Sequence, residues 1–595
     1  MQRWRSLTVA LLLSPVFALA AAAPNTLITN ISGRTTITLN GSWPVIVDPI
    51  ESGLGNKFYE DAKPKDKSDR VEYSFDLSPS LNVPGDWNTQ RDQLLFYENP
   101  VWYRRTFTYH KPANTRAFVY FGAANYRCRV YLNAEALGVH EGGFTPFNFE
   151  VTSHLRDGIN FLVVEVGSAR TADTVPSLRY DWWNYGGITG DVRLVEVPSV
   201  FIQDYFVQLA KGSRDEIAGW VQLNGATASQ SVSVDIPEAG IRQEVTTDAS
   251  GRATFRFPAK LQLWSPEQPK LYDVTIASGA DKVRDQIGFR SIEVRGGKIL
   301  LNGQPIFLRG ISMHDEAPFR SGRLFSAEDA QTLLTWAKDL GCNFVRLAHY
   351  PHDESMLRAA DRMGLLVWSE NPVYWALEFD NPKVLAKAEQ QLDEEIGTSR
   401  NHASIILWSM ANETPNTEAR TQFIETLAAR ARALDSTRLI TAALLVRGEG
   451  HTKIVDDALG SALDVIGVNE YIGWYEQHPE TADSTEWRID YQKPLIVSEF
   501  GGGAKAGLHG GDNDRWSEEY QANIYRHQFG MLNRIPQLRG MSPWLLMDFR
   551  SPNRPLAGIQ DEFNRKGLIS DQGQKKAAFF VLQKAYQENA VGKPE

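Results

Sequence analysis

Ile405-Ile406-Leu407-Trp408-Ser409-Met410-Ala411-Asn412-Glu413 is a short apolar run that stops abruptly at an amide and a carboxylic acid. Its length and its β-branched and aromatic content read as a buried strand whose C-terminal end carries reactive groups. Leu495-Ile496-Val497-Ser498-Glu499-Phe500-Gly501 repeats the pattern further along. Around these two runs, from about Val294 onward, strand and helix signals alternate. The candidate strands are Ile306–Ser312, Asn343–Ala348, Leu365–Glu370, Ser404–Asn412, Leu439–Leu445, Val465–Glu470, Pro494–Phe500 and Gly540–Asp548. One helix begins at Ala327, with Ser326 and Asp329 as a cap and Gly341 as a stop; others are expected over 353–363, 383–396, 417–434, 517–535 and 575–589. No clear helix follows the fifth or sixth strand. Alternating βα units of this number predict a C-terminal (β/α)8 TIM barrel over 294–595, with its chemistry at the C-terminal ends of the strands.

Glu413 and Glu499 would then both face the barrel mouth. Cleavage of a glycosidic bond needs such a pair, one acid to protonate the leaving oxygen and one carboxylate on the other side of the anomeric carbon. Glu370, at the end of the third strand, is a further candidate on the same pattern.

The rest of the chain is read against this barrel. At ~100–200 residues per domain, 595 residues require several domains. Residues 24–200 show short alternating segments with turn residues between them, among them Val101–Tyr109, Arg127–Leu132 and Asn160–Val166, and predict an N-terminal β jelly-roll sandwich. Residues 201–293, with Trp220–Leu223, Ser231–Ile236, Ala253–Phe257 and Tyr272–Ala277, predict an immunoglobulin-like β-sandwich. Residues 1–23 have the basic start, apolar middle and small-residue end of a signal peptide, which implies a periplasmic or secreted protein. Lys and Arg total 62 against 72 Asp and Glu, a net charge of −10 with no basic cluster, so neither nucleic acid nor a membrane is expected as a partner. Sixteen Trp and 20 Tyr exceed what packing needs and hint at sugar-facing surfaces. Cys128 and Cys342 read as two buried thiols rather than a disulfide framework. Gly501-Gly502-Gly503 lacks the Lys-Ser/Thr of a phosphate loop and reads as flexibility beside Glu499.

Asn401-His402-Ala403-Ser404 leading into the 405–413 run closely resembles the acid/base segment of glycoside hydrolase family 2, and Ile496-Val497-Ser498-Glu499-Phe500-Gly501 resembles that family's nucleophile segment. Val101-Trp102-Tyr103-Arg104-Arg105, Leu263-Trp264-Ser265-Pro266-Glu267 and Leu301-Asn302-Gly303-Gln304-Pro305 extend the resemblance over nearly the whole chain. It implies Glu413 as general acid/base, Glu499 as nucleophile and Asn412 as partner of the sugar 2-hydroxyl. Phe563-Asn564-Arg565-Lys566-Gly567 is similar to the Asn-x-Lys motif by which bacterial β-glucuronidases of the family hold the substrate carboxylate, which assigns Asn564 and Lys566 to that task. Asn469 and Tyr471 resemble an Asn-x-Tyr segment beside the nucleophile; Asp181 resembles an Asp sent by the first sandwich towards sugar hydroxyls; His314 and Trp544 look like pocket residues.

The resemblance therefore implies a retaining, exo-acting β-glucuronidase. Gln560 stands where some relatives carry an Arg and Ile472 where a second aromatic is expected, which keeps a β-galacturonidase open beside it, and a β-galactosidase or β-mannosidase of the same family. A secreted glycan-binding protein with an inert barrel is a remote alternative. No cofactor and no metal site are implied, the partner is a carbohydrate substrate with a uronic-acid end, and a homo-oligomer is open. The 370–401 stretch reads as one helix without a long insertion, so an open site that admits oligosaccharide ends is expected.

Overall fold

The computed structural model describes residues 27–66, 68–69, 72–225 and 228–588; the expected signal peptide lies outside them. The first domain is a sandwich of two antiparallel sheets. One has six strands in the order Ser80–Val83, Gly41–Val47, Val101–Tyr109, Gly158–Gly167, Arg127–Leu132, Glu135–Glu141; the other has four, Thr36–Thr38, Val192–Pro198, Thr115–Phe121, Phe147–Glu150. Alternate residues of both, including Trp43, Tyr103, Phe121, Val164 and Leu194, fill the space between them. Cys128 lies in this core and Cys342 in that of the barrel; both are free thiols. The second domain pairs a three-stranded sheet (Phe201–Leu209, Glu216–Asn224, Arg252–Pro258) with a four-stranded one (Ile241–Thr246, Ser231–Ile236, Tyr272–Ser278, Asp281–Ile287) over Ile202, Val221, Phe255 and Val274.

The third domain is a parallel barrel that closes on a single segment. Leu308–Arg309 pairs with the eighth strand, Leu538–Met541, and Ser312–Met313, a few residues on, pairs with the second, Phe344–Leu347. Between them run the third (Leu366–Glu370), fourth (Ile405–Asn412), fifth (Leu439–Leu445), sixth (Ile466–Asn469) and seventh (Leu495–Glu499) strands in ring order. Period-two alternation sorts their residues. Val345, Val367, Ile440, Leu444, Val468 and Val497 face the helices, while Phe344, Trp368, Ile406, Ala443 and Ile496 pack inward. Trp264, from the end of the second sandwich, joins the inward cluster and donates its indole N–H to Asp361 O at 2.8 Å. Asn401 ties the entry of the fourth strand to the same sandwich, accepting from Val207 N at 3.0 Å and donating to Tyr205 O at 3.1 Å. The floor is thus plugged, and access is left at the C-terminal ends.

One expectation changes. The eighth strand ends at Met541, not Asp548. Trp544 to Met547 are apolar because they pack against the pocket wall and the upper core after the chain has left the barrel. The fifth and sixth strands are followed by 3-10 turns, Ala458–Ser461 and Pro479–Ser484, and by a small sheet of Arg447–Glu449, Thr452–Val455 and Glu486–Ile489, which is why no amphipathic period was present there. The helix at Ala327–Leu340 forms as its sequence predicts, with Ser326 Oγ accepting from Asp329 N at 3.1 Å and Gly341 in the left-handed region at φ 94°.

Candidate active site

The fourth strand delivers its last residue, Asn412, and the next, Glu413, by breaking register. Its pairing with the fifth strand slips between Ser409 and Asn412. Asn412 N then bonds Val373 O at 2.9 Å, and Glu413 N reaches back to Ala443 O at 2.9 Å. Glu413 sits at φ 49°, a left-handed conformation that costs a non-glycine residue ~1–3 kcal/mol and is held only where the surroundings enforce it. Among the described residues three non-proline peptides are cis, and two of them, Ala348–His349 and Trp544–Leu545, flank residues of this mouth.

The inward residues at the strand tops form one polar network. Arg346, fully buried on the second strand, donates to Glu499 Oε1 at 2.7 Å, to Asn412 Oδ1 at 2.7 Å, and to Glu370 at 3.0 and 3.2 Å. Tyr471 OH donates to the other oxygen of Glu499 at 2.7 Å. Glu499 thus receives a guanidinium and a phenol, the surroundings of an anion. Glu413 accepts from Asn469 Nδ2 at 3.0 Å and from Trp375 Nε1 at 2.9 Å. Ser498 Oγ donates to Asn469 Oδ1 at 2.8 Å and so turns the Asn469 amide with its NH2 towards Glu413. Asn412 Nδ2 is left as an unmade donor in this network.

Glu370 is not a second acid. Besides Arg346 it accepts from Trp368 Nε1 at 2.8 Å and Ser409 Oγ at 3.0 Å and contacts His349 Nδ1 at 2.9 Å. Burial alone would raise its carboxyl, but Arg346 and His349 outweigh it and hold it down to about 2. Glu413 behaves in the opposite way: burial first, and the negative charge of Glu499 second, push it up to about 7. Its protonated fraction falls as pH rises through that value, so kcat/KM is expected to show an alkaline limb near pH 7 that flattens in Glu413→Gln; a pH–rate profile of both forms checks this.

A second cluster lies on the other side of Tyr471. Lys566 Nζ donates to Tyr475 OH at 2.7 Å and stands 4.7 Å from the Tyr475 ring, 5.7 Å from that of Tyr471 and 5.9 Å from that of Trp474. It is only 4% exposed, and among the described residues no carboxylate pairs with it. Lys566 N donates to Asn564 Oδ1 at 3.2 Å, and Asn564 Nδ2 donates to Asp181 at 3.1 Å. The Asp181 carboxylate also accepts from Ser551 Oγ at 2.6 Å and from both Nε and Nη2 of Arg554. Arg554 in turn interacts with Tyr475. Lys566, Tyr475, Arg554, Asp181 and Asn564 therefore make a closed ring, in which Asp181 anchors the wall through four contacts.

Aromatic side chains line the rest. Trp182, from the loop of the first sandwich that carries Asp181, packs 5.0 Å from Tyr374 and 5.9 Å from His349, and Trp544 stacks on His349 at 4.8 Å. His314 packs on Phe549 at 4.1 Å and contacts Tyr350 OH through Nδ1 at 3.0 Å; burial, reinforced by His349, holds its imidazole well below the usual range and hence neutral. Gly501 to Gly503 mark close packing, not flexibility: a Cβ at Gly501, φ 118°, would sit 2.6 Å from Tyr525 OH, and one at Gly502 2.5 Å from Ile524.

The ten residues assigned by resemblance, and Glu370 from the strand pattern, thus lie in one of these two clusters or in the wall between them. Sequence reasoning missed Arg346, His349, Trp375, Trp182 and Arg554. Arg346 had a signal, a cation at an inward position of an otherwise apolar strand. Arg554 and Trp182 had none, because irregular loops deliver them.

Residues 292–591 match the glycosyl hydrolases family 2 TIM barrel domain, residues 37–198 the glycosyl hydrolases family 2 sugar binding domain and residues 200–290 a further model described as glycosyl hydrolases family 2. A β-glucuronidase of Paenibacillus borealis is 26% identical over 92% of this chain and 96% of its own length, and that of Rattus norvegicus 28% over 85% of each. Among solved structures, a β-glucuronidase of an uncultured Clostridium sp. superposes with a TM-score of 0.80 at 26% identity, covering 94% of this chain and 99% of its own. A β-galacturonidase from Eisenbergiella tayi shares the fold, with a TM-score of 0.78 at 24% identity over 96% and 98%. With two glutamates at the barrel mouth and family matches over all three domains, the chain belongs to glycosyl hydrolase family 2 and is a glycoside hydrolase.

Proposed function

We propose that the enzyme is a retaining, exo-acting β-glucuronidase. The observation that carries this reading is Lys566, a cation withdrawn from water without an anionic partner of its own, one ring away from the nucleophile. Tyr471 spans the two, its hydroxyl on Glu499 and its ring face 5.7 Å from Lys566 Nζ. A pyranose bound with C1 at Glu499 directs its C5 substituent across a similar span. A carboxylate there would offset the desolvation of Lys566, which a neutral hydroxymethyl group would not. The rings of Tyr475, Tyr471 and Trp474 keep the ammonium tolerable while the site is free. The Lys566–Tyr475–Arg554–Asp181–Asn564 ring closes this end, which favours a terminal sugar.

The chemistry follows from the two carboxylates. Glu413 meets the substrate protonated and passes its proton to the leaving oxygen while Glu499 attacks C1. Esterification removes the charge of Glu499, the second cause of the raised Glu413 pKa, so Glu413 becomes acidic at the moment when it has given up its proton. It then takes a proton from the water that hydrolyses the ester. Arg346 and Tyr471 hold the Glu499 oxygens in place throughout, and Asn412 Nδ2 is available to the 2-hydroxyl.

Hydrolysis of 4-nitrophenyl β-glucuronide, β-galacturonide, β-galactoside and β-mannoside, with the first-formed anomer followed by proton NMR, tests the reading. The glucuronide is expected to be cleaved fastest and to release the β-anomer first. Preference for a neutral hexoside would remove the role given to Lys566, preference for the galacturonide would move the assignment to the 4-epimer, and α-anomer release would replace double displacement by inversion.

A further inference from the structure

We propose that the cavity between the first sandwich and the barrel is a second, non-catalytic carbohydrate site, and that it takes an uncharged pyranose. The cavity has a volume of about 400 Å3, the size of a small-ligand site. Thr189 of the first sandwich and Asp315, His352 and Thr398 of the barrel are among the residues that line it. None of the residues that form the barrel mouth or the Lys566 ring does so. Three buried polar atoms of its lining make no hydrogen bond, Thr189 Oγ1, Asp315 Oδ1 and His352 Nδ1, on residues that are 2%, 2% and 7% exposed. Two of the three are bare acceptors. His352 Nε2 lies 2.9 Å from Ala348 O, a carbonyl that only accepts, so Nε2 carries the hydrogen and Nδ1 of the neutral ring is a lone pair. Asp315 spends Oδ2 on Arg323 at 3.2 Å and on Asp353 N at 3.4 Å. Its Oδ1 faces His352 Nδ1 at 3.8 Å, beyond hydrogen-bond reach. Burial raises the Asp315 carboxyl only to about 6 and pulls His352 down to about 3, so at neutral pH neither atom has a proton to give the other. Buried acceptors left unpaired are costly, and this pair calls for a ligand that donates to both. Neighbouring hydroxyls of a pyranose do that, with Thr189 Oγ1 as a further partner.

The charges of the lining decide against an anion. All four of its guanidinium groups already hold a carboxylate: Arg34 that of Asp281 at 3.3 Å, Arg193 that of Asp191 at 2.5 Å, Arg323 that of Asp315 at 3.2 Å and Arg358 that of Glu354 at 2.6 Å. Among the described residues no lysine lines the cavity. A uronate or a phosphate would find no free cation there and would meet Asp315 and Asp353 instead. This is the reverse of the barrel mouth, where Lys566 lacks an anionic partner. An uncharged sugar suits the mixture, since Tyr120, Phe144 and Phe325 place flat rings among the polar groups and a pyranose presents C–H faces as well as hydroxyls.

Saturation-transfer difference NMR on the full-length Glu499→Gln protein with D-glucose, D-galactose, D-glucosamine and D-glucuronate tests this, alone and combined with Thr398→Trp or Asp315→Asn. Thr398 is half-buried on the last turn of the helix Pro382–Ser399, so an indole there fills the cavity. Asp315→Asn keeps an oxygen for Arg323 and turns an NH2 towards His352 Nδ1, doing within the protein what a ligand hydroxyl would do. A neutral hexose is expected to bind, Thr398→Trp to abolish its signal and Asp315→Asn to weaken binding roughly ten-fold, the loss of about one hydrogen bond. With Glu499 restored, both variants should hydrolyse the best substrate within a few-fold of wild type, which shows that they fold. A neutral-hexose signal that survives both variants places the sugar in the barrel mouth and overturns the proposal. Absence of any signal leaves a hydrated cavity and overturns it too, and preference for glucosamine or glucuronate overturns the uncharged class. None of these results bears on the uronidase reading, which the 4-nitrophenyl series decides.

Discussion

Glu499→Gln is expected to lower kcat roughly 10^4-fold or more for every substrate, because no other described side chain at the mouth is free to attack C1. Glu370, the other carboxylate at the strand tops, is tied down by Arg346, His349, Trp368 and Ser409. Glu413→Gln should cost about 10^2–10^4-fold, the range of a lost general acid, and the loss should shrink as the aglycone becomes a better leaving group, since an acidic phenol needs less protonation. That leaving-group dependence separates the two roles: Glu499→Gln should lose activity uniformly, Glu413→Gln selectively. Both replacements keep size and hydrogen-bonding capacity, so circular dichroism and Tm should change little. Near-normal turnover by either variant with phenyl and alkyl glucuronides alike would end the assignment.

The second large effect concerns Lys566. Lys566→Ala is expected to reduce kcat/KM for the β-glucuronide about 30- to 3,000-fold, the cost of leaving a buried carboxylate without its partner at ~2–5 kcal/mol, while slow turnover of the matching β-glucoside stays within a few-fold of wild type. The wild type therefore prefers the charged sugar and the variant loses that preference. The comparison within one variant controls for misfolding, which would reduce both substrates equally. An equal loss on both sugars would make Lys566 a wall residue held by Tyr475 and the aromatic rings, with no part in reading the uronic acid.

The legibility of this protein from its sequence follows where local pattern coincides with position. Alternation along 344–347 and 366–370 sends Phe344, Arg346, Trp368 and Glu370 inward, while Glu413 and Glu499 are marked by the apolar runs that stop at them, Glu413 being turned into the mouth by a break in that alternation. Asn564 and Lys566 were readable because both sit in one contiguous motif. The overlong eighth strand came from Trp544-Leu545-Leu546-Met547, a run whose apolar character serves the pocket wall and upper core, and hydropathy alone does not separate those uses from a strand. Glu370 looked like Glu413 until its four neighbours were in view, since a strand-end carboxylate becomes structural or chemical according to who neutralises it. Arg554 illustrates the remainder. The motif position at Gln560 suggested a missing cation, and the chain supplies one from an irregular loop, docked on Asp181 from another domain. No local sequence rule reaches across 373 residues.

Glu499 is expected to carry the sugar between two chemical steps. Incubation with a 2-deoxy-2-fluoro-β-glucuronyl fluoride, which forms the intermediate faster than it releases it, followed by peptide mass spectrometry, tests this most directly. The expected result is stoichiometric loss of activity and a single added fluoro-uronyl mass on the peptide carrying Ser498-Glu499-Phe500. Labelling at Glu413 or Glu370, or no covalent mass despite turnover of the parent glucuronide, would contradict it.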